Sequence, residues 1–246
     1  MRKGIDQSLQ AYQRHHVLDN ELTLNWYPGR VLRMVPGGHM LELGLGHGIT
    51  ATLFSEAYSR YLVVEGSAEM IGKFREEHAE LDIEIIQAYF EEFETDQKFD
   101  VIGMGFVLEH VDDPAAVVRR YARFLAPGGS IFIAVPNAES LHRRFGAAAG
   151  MLPDMTVLSA ADIEFGHRRY FTLATLTELV ASCGLAVAQV EGLFLKPVTT
   201  AQLHQLNLSA QMLEGMLLVG VGYPELCNSI LLRAISAPSG SRQVKR

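Results

Sequence analysis

Residues 40–50 read MLELGLGHGIT, an apolar run that breaks into glycines at Gly44, Gly46 and Gly48. Few arrangements accommodate that pattern. A buried strand that turns through glycine into a helix lets backbone approach a ligand closely and aims helix N-terminal amides at it. A plain tight turn would also use glycine, so the next acidic residue matters. Glu65 follows 17 residues after Gly48, at the end of the next apolar run. A carboxylate there can accept hydrogen bonds from both ribose hydroxyls of a nucleoside.

The spacing also says what the loop is not. Dinucleotide loops follow G-x-G-x-x-G, and a Walker loop needs its lysine. Here the glycines alternate behind Glu42, and no such lysine follows.

Short apolar runs alternate with helical segments from residue 40 onward, which predicts βαβ units and a mainly parallel sheet. Strands are expected over 40–44, 61–65, 83–87, 99–103, 131–135, 185–194 and 229–235. Helices are expected over 49–59, 68–79, 114–125, 173–183 and 199–218. Asp113 before Pro114 marks a helix start, Gly184 a helix end, and Pro127-Gly128-Gly129 a turn. Residues 1–37 read as an N-terminal helical segment punctuated at Pro28-Gly29. Residues 38–236 form the main domain. Within it, 137–170 lacks a period and is too long for an ordinary loop, so a lid or insertion is expected. A disordered tail is expected over 237–246.

Glu42, Gly44, Gly46 and Gly48 match the motif (D/E)-x-G-x-G-x-G, and the chain here resembles the class I S-adenosylmethionine-dependent methyltransferases. FDVIGMGFVLEHVDDP, LAPGGSIFIAVPN and FTLATLTELVASCGL resemble later motifs of that family, so the likeness runs from Met40 to about Phe194. The texture is closest to small-molecule enzymes such as ubiquinone-biosynthesis O-methyltransferases and sugar or antibiotic methyltransferases. The resemblance implies an α/β Rossmann-like fold, a seven-stranded mostly parallel sheet in the order 3-2-1-4-5-7-6 with helices on both faces. It implies S-adenosylmethionine as cofactor, against Glu42, Gly44, Gly46, Gly48, Glu65, Gly66, Tyr89, Phe90 and Phe106, with Val107 beside the methyl end. Where many members carry Asp near the adenine, this chain has Ala88-Tyr89-Phe90, which leaves that contact to backbone amides and an aromatic face.

For the acceptor, His110 lies just past the fourth strand as a general base or a loop anchor, and Glu109 is similar but reads more simply as a hydrogen-bond partner. Asp112, Asp113 and Asn137 could suggest a metal site, but helix capping explains the aspartates more simply, and no metal is expected. Two His-Arg-Arg runs, at His142 and His167-Arg168, make either an anion-recognition surface or ion pairs to Asp154, Asp162 and Glu164. Asn137, His142, His167, Arg168 and Tyr170 are the expected acceptor contacts in the lid. Tyr12, His15, His16, Trp26 and Tyr27 would close over the site or form a docking helix.

Composition narrows the partners. Acidic residues number 28 and basic residues 21, which disfavours an obligate nucleic-acid binder. The longest apolar run falls well short of the roughly 18 residues that span a bilayer, and the start is too polar for a signal peptide. Two distant cysteines form neither a disulfide framework nor a zinc pattern. The expectation is a cytoplasmic enzyme acting on O or N of a small metabolite: a sugar nucleotide, polysaccharide precursor or natural-product intermediate. Neither nucleic acid nor membrane is an expected partner, and a homodimer stays open. The alternatives are a protein or RNA methyltransferase, or a non-catalytic S-adenosylmethionine-binding protein.

Overall fold

Apolar, mostly buried runs drive the centre of the molecule. In the computed structural model, which describes residues 18–46 and 48–237, they form seven strands: β1 (His39–Leu43), β2 (Arg60–Glu65), β3 (Glu84–Gln87), β4 (Phe99–Gly105), β5 (Leu125–Pro136), β6 (Leu185–Leu193) and β7 (Ser229–Ser236). The sheet order is β3-β2-β1-β4-β5-β7-β6. Its first five strands are parallel, and β7 runs antiparallel between β5 and β6. This is the expected topology.

Side chains alternate across the sheet and build a core on each face. Ile102 and Met104 of β4 enter one cluster with Leu41 and Leu43, whereas Val101 enters the other with Met40 and Val63. Both faces are covered by helices, as a parallel sheet requires.

The helices among the described residues are α1 (Leu18–Met34), α2 (Ile49–Ala57), α3 (Ala68–Glu77), α4 (Pro114–Ala122), α5 (Leu141–Ala148), α6 (Ala160–Glu164), α7 (Leu173–Ser182), α8 (Thr200–Leu206) and α9 (Ala210–Gly220). The Asp113 carboxylate accepts from Ala116 N at 2.9 Å and starts α4, as read from its sequence. Gly184 takes φ +78° just beyond α7, the left-handed value that ends a helix.

Three local expectations are corrected. Pro28 does not punctuate the N-terminal helix: α1 runs through it, with Pro28 buried. Packing of Tyr27 and Val31 offsets the one backbone hydrogen bond that proline removes. The expected helix over 199–218 is two helices, because Asn207 turns left-handed at φ 45° and Ser209 caps the second one. Strand β5 starts at Leu125 rather than after the Pro-Gly-Gly turn. Its glycines lie in an irregularity where Phe99 pairs with Leu125 but Val101 pairs with Ser130. The segment 137–170 holds α5 and α6. Tyr12, His15, His16 and the tail beyond Ala237 lie outside the described residues.

Candidate active site

A cavity of about 1080 Å³ opens over the carboxyl ends of β1, β2, β4 and β5. That is where open α/β sheets take ligands, at the switch in strand order. Its floor is the loop after β1 together with Glu65 and Phe106. Its roof comes from α1, the 137–170 segment and residues 196–202.

The floor is preorganised. Gly44 donates its amide to Val64 O at 2.8 Å and turns at φ +83°. A side chain there would be strained and would reach Phe90 across the loop at 3.7 Å. Glu65 is buried at the end of β2 and already holds the loop in place. Its Oε2 accepts from Leu45 N at 3.1 Å and its Oε1 from Ser67 N at 2.7 Å. A carboxylate has about four lone-pair sites, so each oxygen keeps capacity for a ribose hydroxyl. Burial raises its pKa, while the backbone amides act against that rise. Gly66 keeps Tyr89 close: a Cβ on it would lie 3.2 Å from Tyr89 Cδ1. Tyr89, Phe90 and Phe106 all border the cavity, the last at φ 58°. This half fits the nucleoside and amino-acid parts of S-adenosylmethionine.

Glu42 faces the same space at 3% exposure. Tyr61 donates a hydrogen bond to it, yet burial still lifts its carboxyl to about 7. Gly48 does not border the cavity. It sits at the start of α2, where a Cβ would come within 2.8 Å of His78 Nε2.

The cavity wall carries two polar groups of side chains. In the first, polar atoms of Glu109, His110 and His167 lie within 4.8 Å of one another. Both carboxylate oxygens of Glu109 are buried without a hydrogen-bond partner, and burial lifts its carboxyl to about 7. The Glu109 carboxylate therefore does not serve as the expected hydrogen-bond partner. Burial, with the charges of His167 and Arg168, pushes the His110 imidazole down to about 3. The second group joins α1 to the loop after β6. Lys196 Nζ pairs with Asp19 and bonds Thr200 Oγ1 at 2.9 Å, and Thr200 Oγ1 donates to Asp19 at 2.6 Å. His142 borders the same space, its imidazole lowered to about 3 by burial and by the charges of Lys196 and Arg143.

Several expected acceptor contacts have other work. Trp26 packs among core side chains, with the Arg30 guanidinium 5.9 Å from its ring centre, and does not border the cavity; its neighbour Tyr27 does. Asn137 reaches the cavity wall, but its amide nitrogen bonds the carbonyls of Glu225 and Cys227 at 3.1 and 3.0 Å and its oxygen accepts from Glu139 N. Arg168 pairs with Asp112, and Asp113 caps α4, so these aspartates and Asn137 do not converge on one ion. The His-Arg-Arg runs are not a free cationic surface: Arg143 bonds Met155 O and Val157 O, Arg144 pairs with Glu139, and Arg169 bonds Asp112 O. Tyr170 is clamped between Arg143 and Asp162.

Sequence reasoning passed over Asp19, Lys196 and Thr200. A lysine between Leu195 and Pro197 at a strand end was the available signal, because lysine is rarely so enclosed unless paired.

A family model described as a methyltransferase domain matches residues 13–190. The chain belongs to that family. The methyltransferase is 26% identical over 185 residues to a ubiquinone biosynthesis O-methyltransferase of Aeromonas salmonicida, across 73% of this chain and 76% of that protein. It is 24% identical over 198 residues to a cypemycin N-terminal methyltransferase of a Streptomyces species, across 77% and 76%. Among solved structures, a SAM-dependent methyltransferase from Thermotoga maritima matches with a TM-score of 0.64 at 20% identity, covering 93% of this chain and 96% of that one. Magnesium protoporphyrin IX methyltransferase from Synechocystis PCC 6803, with bound SAH, matches at 0.62 and 14% identity, covering 96% and 95%. The structural likenesses carry the fold. No helix among the described residues is long and apolar enough to cross a membrane.

Proposed function

We propose that this methyltransferase transfers a methyl group from S-adenosylmethionine to an oxygen or nitrogen of a small, enclosed metabolite. S-adenosylmethionine supplies a methyl group already activated on a sulfonium. The chain contributes placement. The glycine loop with Glu65 is assigned to the methionine and ribose, with Tyr89 and Phe90 beside the adenine. Alignment of this kind supplies roughly 7–11 kcal/mol of a displacement barrier.

The single observation that carries the small-acceptor reading is the roofed cavity. Segments 137–170 and 196–202 and helix α1 stand over the glycine loop. They bring Asp19, His142, Lys196 and His167 to the cavity wall, where Glu109 of the segment after β4 joins them. Such a chamber matches a compact molecule with several hydroxyl, amine or carboxylate groups, the class of a sugar nucleotide or natural-product intermediate.

A screen of phenols, sugar nucleotides, amino sugars and peptide N-terminal amines, read by S-adenosylhomocysteine release, tests this. Turnover of a small acceptor is expected. Turnover confined to folded protein or RNA would overturn the reading.

A further inference from the structure

Asp162 lies in α6, and His167 follows it by five residues, just beyond the helix end. Their backbones are tied by His167 N donating to Asp162 O at 2.9 Å. Their side chains also meet, with His167 Nδ1 standing 3.2 Å from Asp162 Oδ1. The other carboxylate oxygen is fully engaged: Oδ2 accepts from Ser159 N at 2.7 Å, Ser159 Oγ at 2.5 Å and Tyr170 Oη at 2.9 Å. Oδ1 is thus left for the imidazole. Burial alone would raise this carboxyl, but His167, Ser159 and Tyr170 hold it below the usual range, so it is ionised at neutral pH.

An ionised carboxylate 3.2 Å from Nδ1 favours, by its charge, a proton on that nitrogen. With the proton on Nδ1, Nε2 keeps a bare lone pair. Nδ1 is closed to solvent and makes no hydrogen bond of its own despite the nearby Asp162 Oδ1, although 13% of the side chain stays accessible, and the ring borders the cavity. The ring is held by His110, edge-on at 4.8 Å between centres, and by Phe165 at 6.1 Å. Asp162 faces it from α6, Glu109 and His110 from the segment after β4, and Arg168 adjoins it in sequence. His110, the sequence's candidate base, has no carboxylate at such a distance among the described ion pairs.

We propose that His167 is the base that takes the proton of a hydroxyl acceptor, with Asp162 as its positioning residue. The assignment rests on the small-acceptor reading above. In the step, the acceptor O–H bond breaks and its proton moves to Nε2. The electron pair left on oxygen forms the new bond to the methyl carbon, and sulfur keeps the pair of the broken carbon–sulfur bond.

Two measurements on the whole chain test it. The first needs no turnover. A long-range proton–nitrogen spectrum of the imidazoles at pH 8 is expected to show His167 protonated on Nδ1 and bare on Nε2, and Asp162→Asn is expected to abolish that preference. A protonated Nε2 in the wild-type protein would overturn the proposal. The second uses a phenol that the acceptor screen shows to be methylated. His167→Ala is expected to lower turnover by about 10²–10⁴-fold, to keep S-adenosylhomocysteine affinity, and to regain turnover with millimolar imidazole. Imidazole rescue of His110→Ala and not of His167→Ala would overturn it. So would turnover abolished by a chelator and restored by a divalent cation, since a cation would then activate the hydroxyl. Wild-type protein that binds S-adenosylhomocysteine but methylates only macromolecules would contradict the small-acceptor reading, while the tautomer still reports on His167.

Discussion

Tyr61 donates its hydroxyl hydrogen to the buried carboxylate of Glu42, tying β2 to β1 directly beneath the glycine loop. The bond matters most when Glu42 is charged. Its carboxyl titrates at about 7, so a charged acceptor forms only as pH rises past neutrality. Tyr61→Phe is therefore expected to cost about 1.5–3 kcal/mol above pH 7, the worth of a hydrogen bond to a charged group, and about half that at pH 5. Urea unfolding at both pH values checks it, and an equal cost at both would contradict it.

Glu109 gives the opposite kind of prediction. Its carboxyl is raised to about 7 by burial, against an ordinary value of 4.5. Between those values the folded protein binds more protons than the unfolded chain, so stability falls as pH rises from 4.5 to 7 and levels off above. Glu109→Gln keeps the site neutral. It is expected to match the wild type near pH 5 and to exceed it at pH 8, by up to about 3 kcal/mol. A variant less stable than wild type at pH 8 would contradict this.

Gly48 holds φ +74° at the start of α2, and a Cβ would lie 2.8 Å from His78 Nε2 and 3.0 Å from Phe74. Gly48→Ala therefore meets both a left-handed backbone, at about 1–2 kcal/mol, and a crowded helix face. A melting temperature lowered by several degrees is expected by calorimetry. An unchanged value would show that Phe74 and His78 give way freely.

Arg143 is the clasp of the roof. Its Nε and Nη2 bond Met155 O at 3.0 and 2.7 Å, Nη2 also bonds Val157 O, and the guanidinium lies 4.3 Å over the Tyr170 ring. Lysine keeps the charge but loses the planar fork. Arg143→Lys is expected to speed amide hydrogen exchange over 150–158 about tenfold or more, with β4 unaffected. Unchanged exchange in that segment would show that the clasp is not what orders it.

The strands were legible because most are apolar runs bounded by turn signals, whereas their order came from the family resemblance that Glu42, Gly44, Gly46 and Gly48 carry. The cofactor half was legible for a related reason: Gly44 and Glu65 act through backbone geometry and one carboxylate, and both follow strand ends in sequence. The roof was not legible. Asp19 meets Lys196 and Thr200 across most of the chain, and no local period reports such a pairing. His110 and His167 read alike as histidines. Only burial, and the nearness of Asp162, separates a weakly basic ring from an oriented one. Pro28 misled because tertiary packing outweighed a local breaker.

The central claim is that the glycine loop and Glu65 hold S-adenosylmethionine, and titration calorimetry with S-adenosylhomocysteine tests it most directly. Wild-type protein is expected to bind one equivalent, and Glu65→Gln to bind more weakly by about 1.5–3 kcal/mol, the worth of a hydrogen bond to a charged group. Binding of NADH in its place, or a Glu65→Gln variant that binds S-adenosylhomocysteine as tightly as wild type, would contradict the account.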